Sequence, residues 1–193
     1  MSYMMSRFFA AIILAGLVPT SANAEETNLP ALIYSPWAKF CLKETCFVGS
    51  EGRSEPDCGP VVVSVVLIER FGDSKRSLHV TLPARVNTER GLRIVIDQGE
   101  PIERPYVGCF ANGCRAEYEG GAELVEQFKR GRSLRIEAVD KANSSITVTV
   151  PLVDFANTYE GAPQEPKVFE TTAKKLQAEL EDRKSRCEKG QSQ

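Results

Sequence analysis

From residue 61 to residue 150 the chain repeatedly alternates apolar with polar side chains. Leu78, Val80 and Leu82 flank His79 and Thr81, and Leu92, Ile94 and Ile96 flank Arg93 and Val95. Leu134, Ile136 and Ala138 flank Arg135 and Glu137, and Ile146, Val148 and Val150 flank Thr147 and Thr149. A period of two sends alternate side chains to opposite faces, so each stretch predicts a strand with one face in a core. Residues 61–68 (VVVSVVLI) are almost continuously β-branched and predict a strand buried on both faces. Gly72-Asp73, Gly91, Gly99 and residues 140–144 punctuate the series as turns. Many short strands with turns between them predict an all-β sandwich rather than a βαβ sheet.

Two segments depart from the β pattern. In residues 121–131 (GAELVEQFKRG), Leu124, Val125 and Phe128 share one helical face. Lys129-Arg130 and then Gly131 end that stretch, which predicts a short helix crossing between two strands of the sandwich. Further on, Gly161, Pro163 and Pro166 mark a linker. Residues 168–188 then carry a heptad-like seam of Phe169, Ala173, Leu176, Leu180, Arg183 and Cys187. The seam is short and is interrupted by Arg183, below the length of a self-sufficient coiled coil. It predicts a charged C-terminal helical tail, docked on the sandwich through Phe169 and Leu176. A homodimer formed through this tail, with two Cys187 residues brought together, is the competing expectation.

The N-terminus reads as a leader. Arg7 precedes the apolar run 8–18, Pro19 breaks it, and Ala22-Asn23-Ala24 supplies small residues for cleavage. As a helix that run reaches roughly 16 Å, short of the ~30 Å hydrocarbon core of a bilayer. The expected organisation is a signal peptide at 1–24, a β-sandwich domain at 25–160, and a linker with the charged helix at 161–193. No stable membrane insertion is expected once the leader is removed. The formal net charge is −2, and loss of Arg7 takes it one unit further negative. Such a chain has no general attraction for nucleic acid or anionic lipid, so neither is expected as a partner.

Export changes how the six cysteines read. An even number in an oxidising compartment points to disulfides. Cys41 and Cys46 are spaced C-x4-C, and so are Cys109 and Cys114. In PYVGCFANGC a four-residue Phe110-Ala111-Asn112-Gly113 loop, with Asn-Gly tolerant of positive φ, sets Cys109 directly opposite Cys114. Cross-strand Cα atoms in a non-hydrogen-bonded pair lie ~4.5 Å apart, within disulfide reach. A zinc site made from both pairs is the alternative, although C-x2-C is its usual spacing. Cys41 and Cys46 are expected to pair in the same way, with Cys58 a competitor for either. Cys58 and Cys187 are left to pair with each other, to stay free, or to bridge two chains.

Candidate chemistry is sparse. His79 is the single histidine, and it alternates with the leucines of its strand, so it is expected at the surface. A histidine-rich metal site and a Ser-His-Asp triad both need more. Glu100, Glu103 and Glu117 are the acids that could in principle supply a carboxylate pair, with solvated surface acids as the plainer reading. Arg85, Arg90, Arg93, Arg104, Arg115, Arg130, Arg132 and Arg135 are interleaved with acids rather than gathered in a stripe. No cofactor is expected. Trp37, the only tryptophan, is expected in the core over the nearby Cys41–Cys46 disulfide.

Several of these stretches resemble the invasion-associated locus B family. They are Trp37 with Cys41 and Cys46, LHVTLP at 78–83, GLRIVIDQGEPIERPYVGCFANGC at 91–114, AELVEQFKRGRSLRIEAVD at 122–140 and ITVTVPLVDFANTYEG at 146–161. The resemblance runs from about Trp37 to Gly161 and is most specific between Gly91 and Gly131. It implies an exported bacterial protein with an immunoglobulin-like β-sandwich, periplasmic or associated with the outer membrane. It also implies a non-catalytic module that meets a protein partner in the envelope or on a host cell. The family pattern carries no catalytic residues. The additional Cys58 and the charged tail from Glu165 onward with Cys187 depart from it. A periplasmic thiol-redox or hydrolytic enzyme using a cysteine pair is the competing functional class, and it requires an accessible thiolate of low pKa.

Overall fold

The computed structural model describes residues 26–27, 32–54 and 59–164. The expectations for the leader, Cys58, Cys187 and the tail helix lie outside these residues. The elements in chain order are β1 (Glu26–Thr27), β2 (Ile33–Tyr34), β3 (Ala38–Leu42), β4 (Thr45–Arg53), β5 (Val61–Arg70), β6 (Arg76–Leu82), β7 (Leu92–Ile96) and β8 (Ile102–Arg104). They continue with β9 (Tyr106–Phe110), β10 (Gly113–Gly120), α1 (Ala122–Arg130), β11 (Ser133–Val139), β12 (Ser145–Pro151) and α2 (Phe155–Glu160).

The strands form two sheets and make a β-sandwich. A five-stranded sheet has the order β1-β12-β11-β7-β8. A seven-stranded sheet has the order β2-β4-β5-β6-β10-β9, with β3 also paired to β4. β2 and β3 therefore share one edge of β4, separated by Ser35-Pro36-Trp37. Pro36 has no amide hydrogen to give to a ladder, which suits a break in an edge strand.

The alternation seen in the sequence produces the core. Leu78, Val80 and Leu82 of β6 face Leu92 and Ile94 of β7, Leu134 and Ile136 of β11, and Val148 and Val150 of β12 within one buried cluster. Each such aliphatic side chain contributes about 1.5–3 kcal/mol by leaving water. β5 differs from its expectation. Val63, Val65 and Leu67 belong to the core cluster, whereas Ser64, Val66 and Ile68 are only half-buried on the other face. Its β-branched run reflects a strand with one core face and a partly apolar outer face. One hydrogen bond joins the layers inside the core: the Tyr118 hydroxyl on β10 donates to the Leu92 carbonyl on β7 at 2.7 Å.

α1 carries the chain from β10 in one sheet to β11 in the other, with Leu124, Val125 and Phe128 turned inward. Glu123 in its first turn and Lys129 and Arg130 in its last complement the helix dipole. The return to β11 is held by Asp97, whose carboxylate accepts from the Arg132 and Ser133 amides, both at 2.9 Å. Those two amides hold the Asp97 carboxyl below the usual aspartate value.

α2 occupies a stretch the sequence pattern leaves as loop. Its anchor is Phe155, fully buried against Trp37 edge-on at 5.0 Å and against Phe128 at 5.2 Å. Trp37 is thus buried, but its partner is Phe155 rather than the neighbouring disulfide. Its indole N–H donates to the Pro151 carbonyl at 3.0 Å, at the end of β12. Cys41 lies four residues further along the extended chain, roughly 13 Å away.

Candidate functional site

Among the described residues, the hairpins of the larger sheet carry exposed Leu42, Phe71, Val107 and Phe110. In the β3–β4 hairpin Cys41 pairs with Cys46, Leu42 with Thr45, and Phe40 with Phe47. Cys41 and Cys46 form a disulfide with Cα atoms 4.0 Å apart. The turn residue Lys43 takes φ 53°, a left-handed conformation for a side chain with a Cβ. The adjacent β5–β6 turn is tied to this one, because the Phe71 amide donates to the Glu44 carbonyl at 2.7 Å.

Each of these two turns leaves a large apolar side chain in solvent. Phe71 is 88% exposed and Leu42 is 58% exposed. A cleft of about 640 Å³ lies beside Phe71, bounded also by the disulfide and by Glu69 and Arg76. Glu69 meets Arg76 Nε at 3.5 Å and accepts the Tyr159 hydroxyl. Burial first, and then the bond to Glu69, raises the Tyr159 phenol above its ordinary value. Lys39 Nζ donates to the Tyr159 carbonyl at 2.6 Å and to the Gly161 carbonyl at 3.1 Å. Lys129 pairs with Glu160 at 2.9 Å. The charged groups here fasten α2 to the body of the domain, and an exposed ring and leucine are left at the tip.

The β9–β10 hairpin has the same staple. Cys109 lies opposite Cys114, Phe110 opposite Gly113, and the disulfide spans Cα atoms 3.9 Å apart. The turn is therefore tighter than a four-residue loop, and the positive φ falls on Gly113 rather than Asn112. The Arg115 guanidinium lies 4.7 Å from the centre of the Phe110 ring. Arg115 also reaches Glu117 at 3.2 Å, and Glu117 reaches His79 at 3.5 Å. Burial pushes the His79 imidazole below its usual value, and Glu117 partly opposes that. Burial likewise pushes the Tyr106 phenol on β9 up to about 12.

The remaining candidates do not assemble. Glu117 sits in the larger sheet, whereas Glu103 lines a cleft of about 440 Å³ on the other sheet with Arg93 and Glu137. Glu100 is exposed in the turn between β7 and β8. Arg93 and Arg135 both pair with Glu137, at 3.3 and 2.8 Å. The two cysteine pairs lie at opposite edges of one sheet, so they do not converge on a common ion. Among the described residues no group of three or more His, Cys, Asp or Glu side chains is placed to hold a metal. No helix among them is long and apolar enough to cross a membrane. The Leu42–Phe71 tip was not singled out by sequence pattern. Its one local sign is an aromatic directly before a Gly-Asp turn.

Comparison with known proteins agrees with this framework. The model of the family described as "Invasion associated locus B (IalB) protein" matches residues 37–163. Among solved structures, the crystal structure of invasion associated protein B from Bartonella henselae is similar, with a TM-score of 0.54 and 19% identity. That match covers 66% of this chain and 93% of the other. At that identity the likeness shows the fold. No curated protein matches the chain.

Proposed function

The chain belongs to the invasion associated locus B family, and from that premise we propose that it is an exported, non-catalytic binding module of the bacterial envelope. It acts in the periplasm or at the outer membrane and engages a protein partner there or on a host cell. The observation that carries this reading is the Leu42–Phe71 tip. Its two turns, one of them stapled, hold Leu42 and Phe71 out in water, and Phe71 stands beside the paired Glu69 and Arg76. A rigid apolar anchor with a polar surround is how protein partners are gripped. The cysteines support the same reading, because all four within the described residues are tied up as cross-strand staples.

The test is a photoreactive benzophenone amino acid placed at Phe71, with Lys141 on a distant exposed turn as control, in cells exporting the protein. A discrete protein adduct from position 71 that is absent from position 141 is expected. Equal patterns, or no adduct from position 71, would overturn the reading. The thiol-redox alternative draws on one observation, that Cys109 is exposed while its partner is buried. Maleimide labelling of the native, unreduced protein separates the two: no label at Cys109 fits a staple, and rapid label there fits thiol chemistry.

A further inference from the structure

We propose that the outer face of the larger sheet is a docking surface for the chain's own C-terminal segment. The seam Phe169, Ala173, Leu176 and Leu180 lies as a helix along β4 and β5. This goes beyond the binding role and does not depend on it.

The surface is built by register. Phe40, Phe47 and Ile68 stand in one cross-strand row, and Ala38, Gly49 and Val66 in the next. Core-facing Val48, Val65 and Leu67 alternate with them, so these rows lie on the face turned away from the other sheet. Phe40 and Phe47 stack with ring centres 4.9 Å apart and planes 13° from parallel. An apolar stripe of this kind on an outer sheet face is unusual, because antiparallel sheets normally turn polar side chains outward.

Two observations identify the occupant. First, the described chain ends at this surface: the Gln164 amide donates to the Lys39 carbonyl at 2.9 Å, and Gln164 bridges in parallel to Phe40. Residues 165–193 therefore start beside the stripe. Second, Phe40, Phe47, Val66 and Ile68 of the stripe are only half-buried, which leaves apolar surface for that segment to cover. The dimensions agree as well. Phe169 to Leu180 spans roughly 17 Å as a helix, and Ile68 to Val62 spans roughly 20 Å along a strand. Beyond the stripe the same face turns polar at His79, Glu117 and Glu119, which bounds the apolar surface on that side.

The test uses the full mature chain with a photoreactive amino acid at Leu176, read by peptide mapping and by the mass of the product. The expected result is an adduct at monomer mass to Phe47, Val66 or Ile68. An adduct at dimer mass identifies a second copy as the occupant and overturns the proposal, as does an intrachain adduct elsewhere or none at all. Hydrogen exchange gives an independent readout. Ile68→Asp is expected to lower protection of amides 169–180 at least ten-fold while those of β12 hold, and Thr149→Asp on the other sheet is expected to change neither. Equal tail protection in the parent and Ile68→Asp would also sink it.

Discussion

The β3–β4 and β9–β10 hairpins share one cysteine spacing and one register, yet they are held differently. Each disulfide closes a sequence separation of 5. Cys41 and Cys46 are both half-buried at one edge of the sheet. Cys109 is exposed, whereas Cys114 has no accessible surface and belongs to the core. The turns differ too, with Lys43 at φ 53° in one and Gly113 at φ 130° in the other. Chain entropy values the two bridges alike, at about 2 kcal/mol each, because the closed loops are the same size. Any measured difference between them therefore belongs to the folded surroundings.

The largest effect is expected from Gly113→Ala. A Cβ there would stand 2.2 Å from the Leu82 carbonyl oxygen, on a backbone that L side chains rarely adopt. A loss of about 3 kcal/mol or more is expected in denaturant titration. A loss under 1 kcal/mol would mean the β6–β10 register is softer than drawn. Next come the bridges themselves. Cys109→Ala/Cys114→Ala is expected to cost about 3–4 kcal/mol, the excess over chain entropy arising from the core gap left at Cys114. Cys41→Ala/Cys46→Ala is expected to cost about 2 kcal/mol. Equal losses would erase the contrast between the hairpins. The smallest effect is a gain: Lys43→Gly relieves a left-handed side-chain residue and is expected to add about 0.5 kcal/mol after glycine's entropy is charged. Unchanged stability would show that Lys43 sits there without strain.

What the sequence disclosed follows the range of the forces involved. The alternation in β6, β7, β11 and β12 and the apolar face of α1 are local, so they were legible in advance, as was the two-layer β architecture. The Cys109–Cys114 register was legible because the spacing fixes it within a few positions, although the turn proved tighter than the expected loop. The pairing of Trp37 with Phe155 was not, because it joins residues far apart in the chain through tertiary packing alone. α2 escaped for a related reason. It is short, its N-cap Asp154 gives no side-chain cap, and its stability comes from burying Phe155. The Leu42–Phe71 tip needed two turns to be brought together by the Phe71–Glu44 backbone bond, which no single stretch announces.

The phenol that joins the two sheets has a consequence under alkaline conditions. Burial raises the Tyr118 pKa, so the folded state holds that proton well past the point where a free tyrosine, near ~10, gives it up. Its contribution is whole below that point and drains away as the solution becomes more basic, since the unfolded chain ionises first. Strong base thus acts on this molecule as a wedge, entering at a buried hydrogen that ties one half to the other.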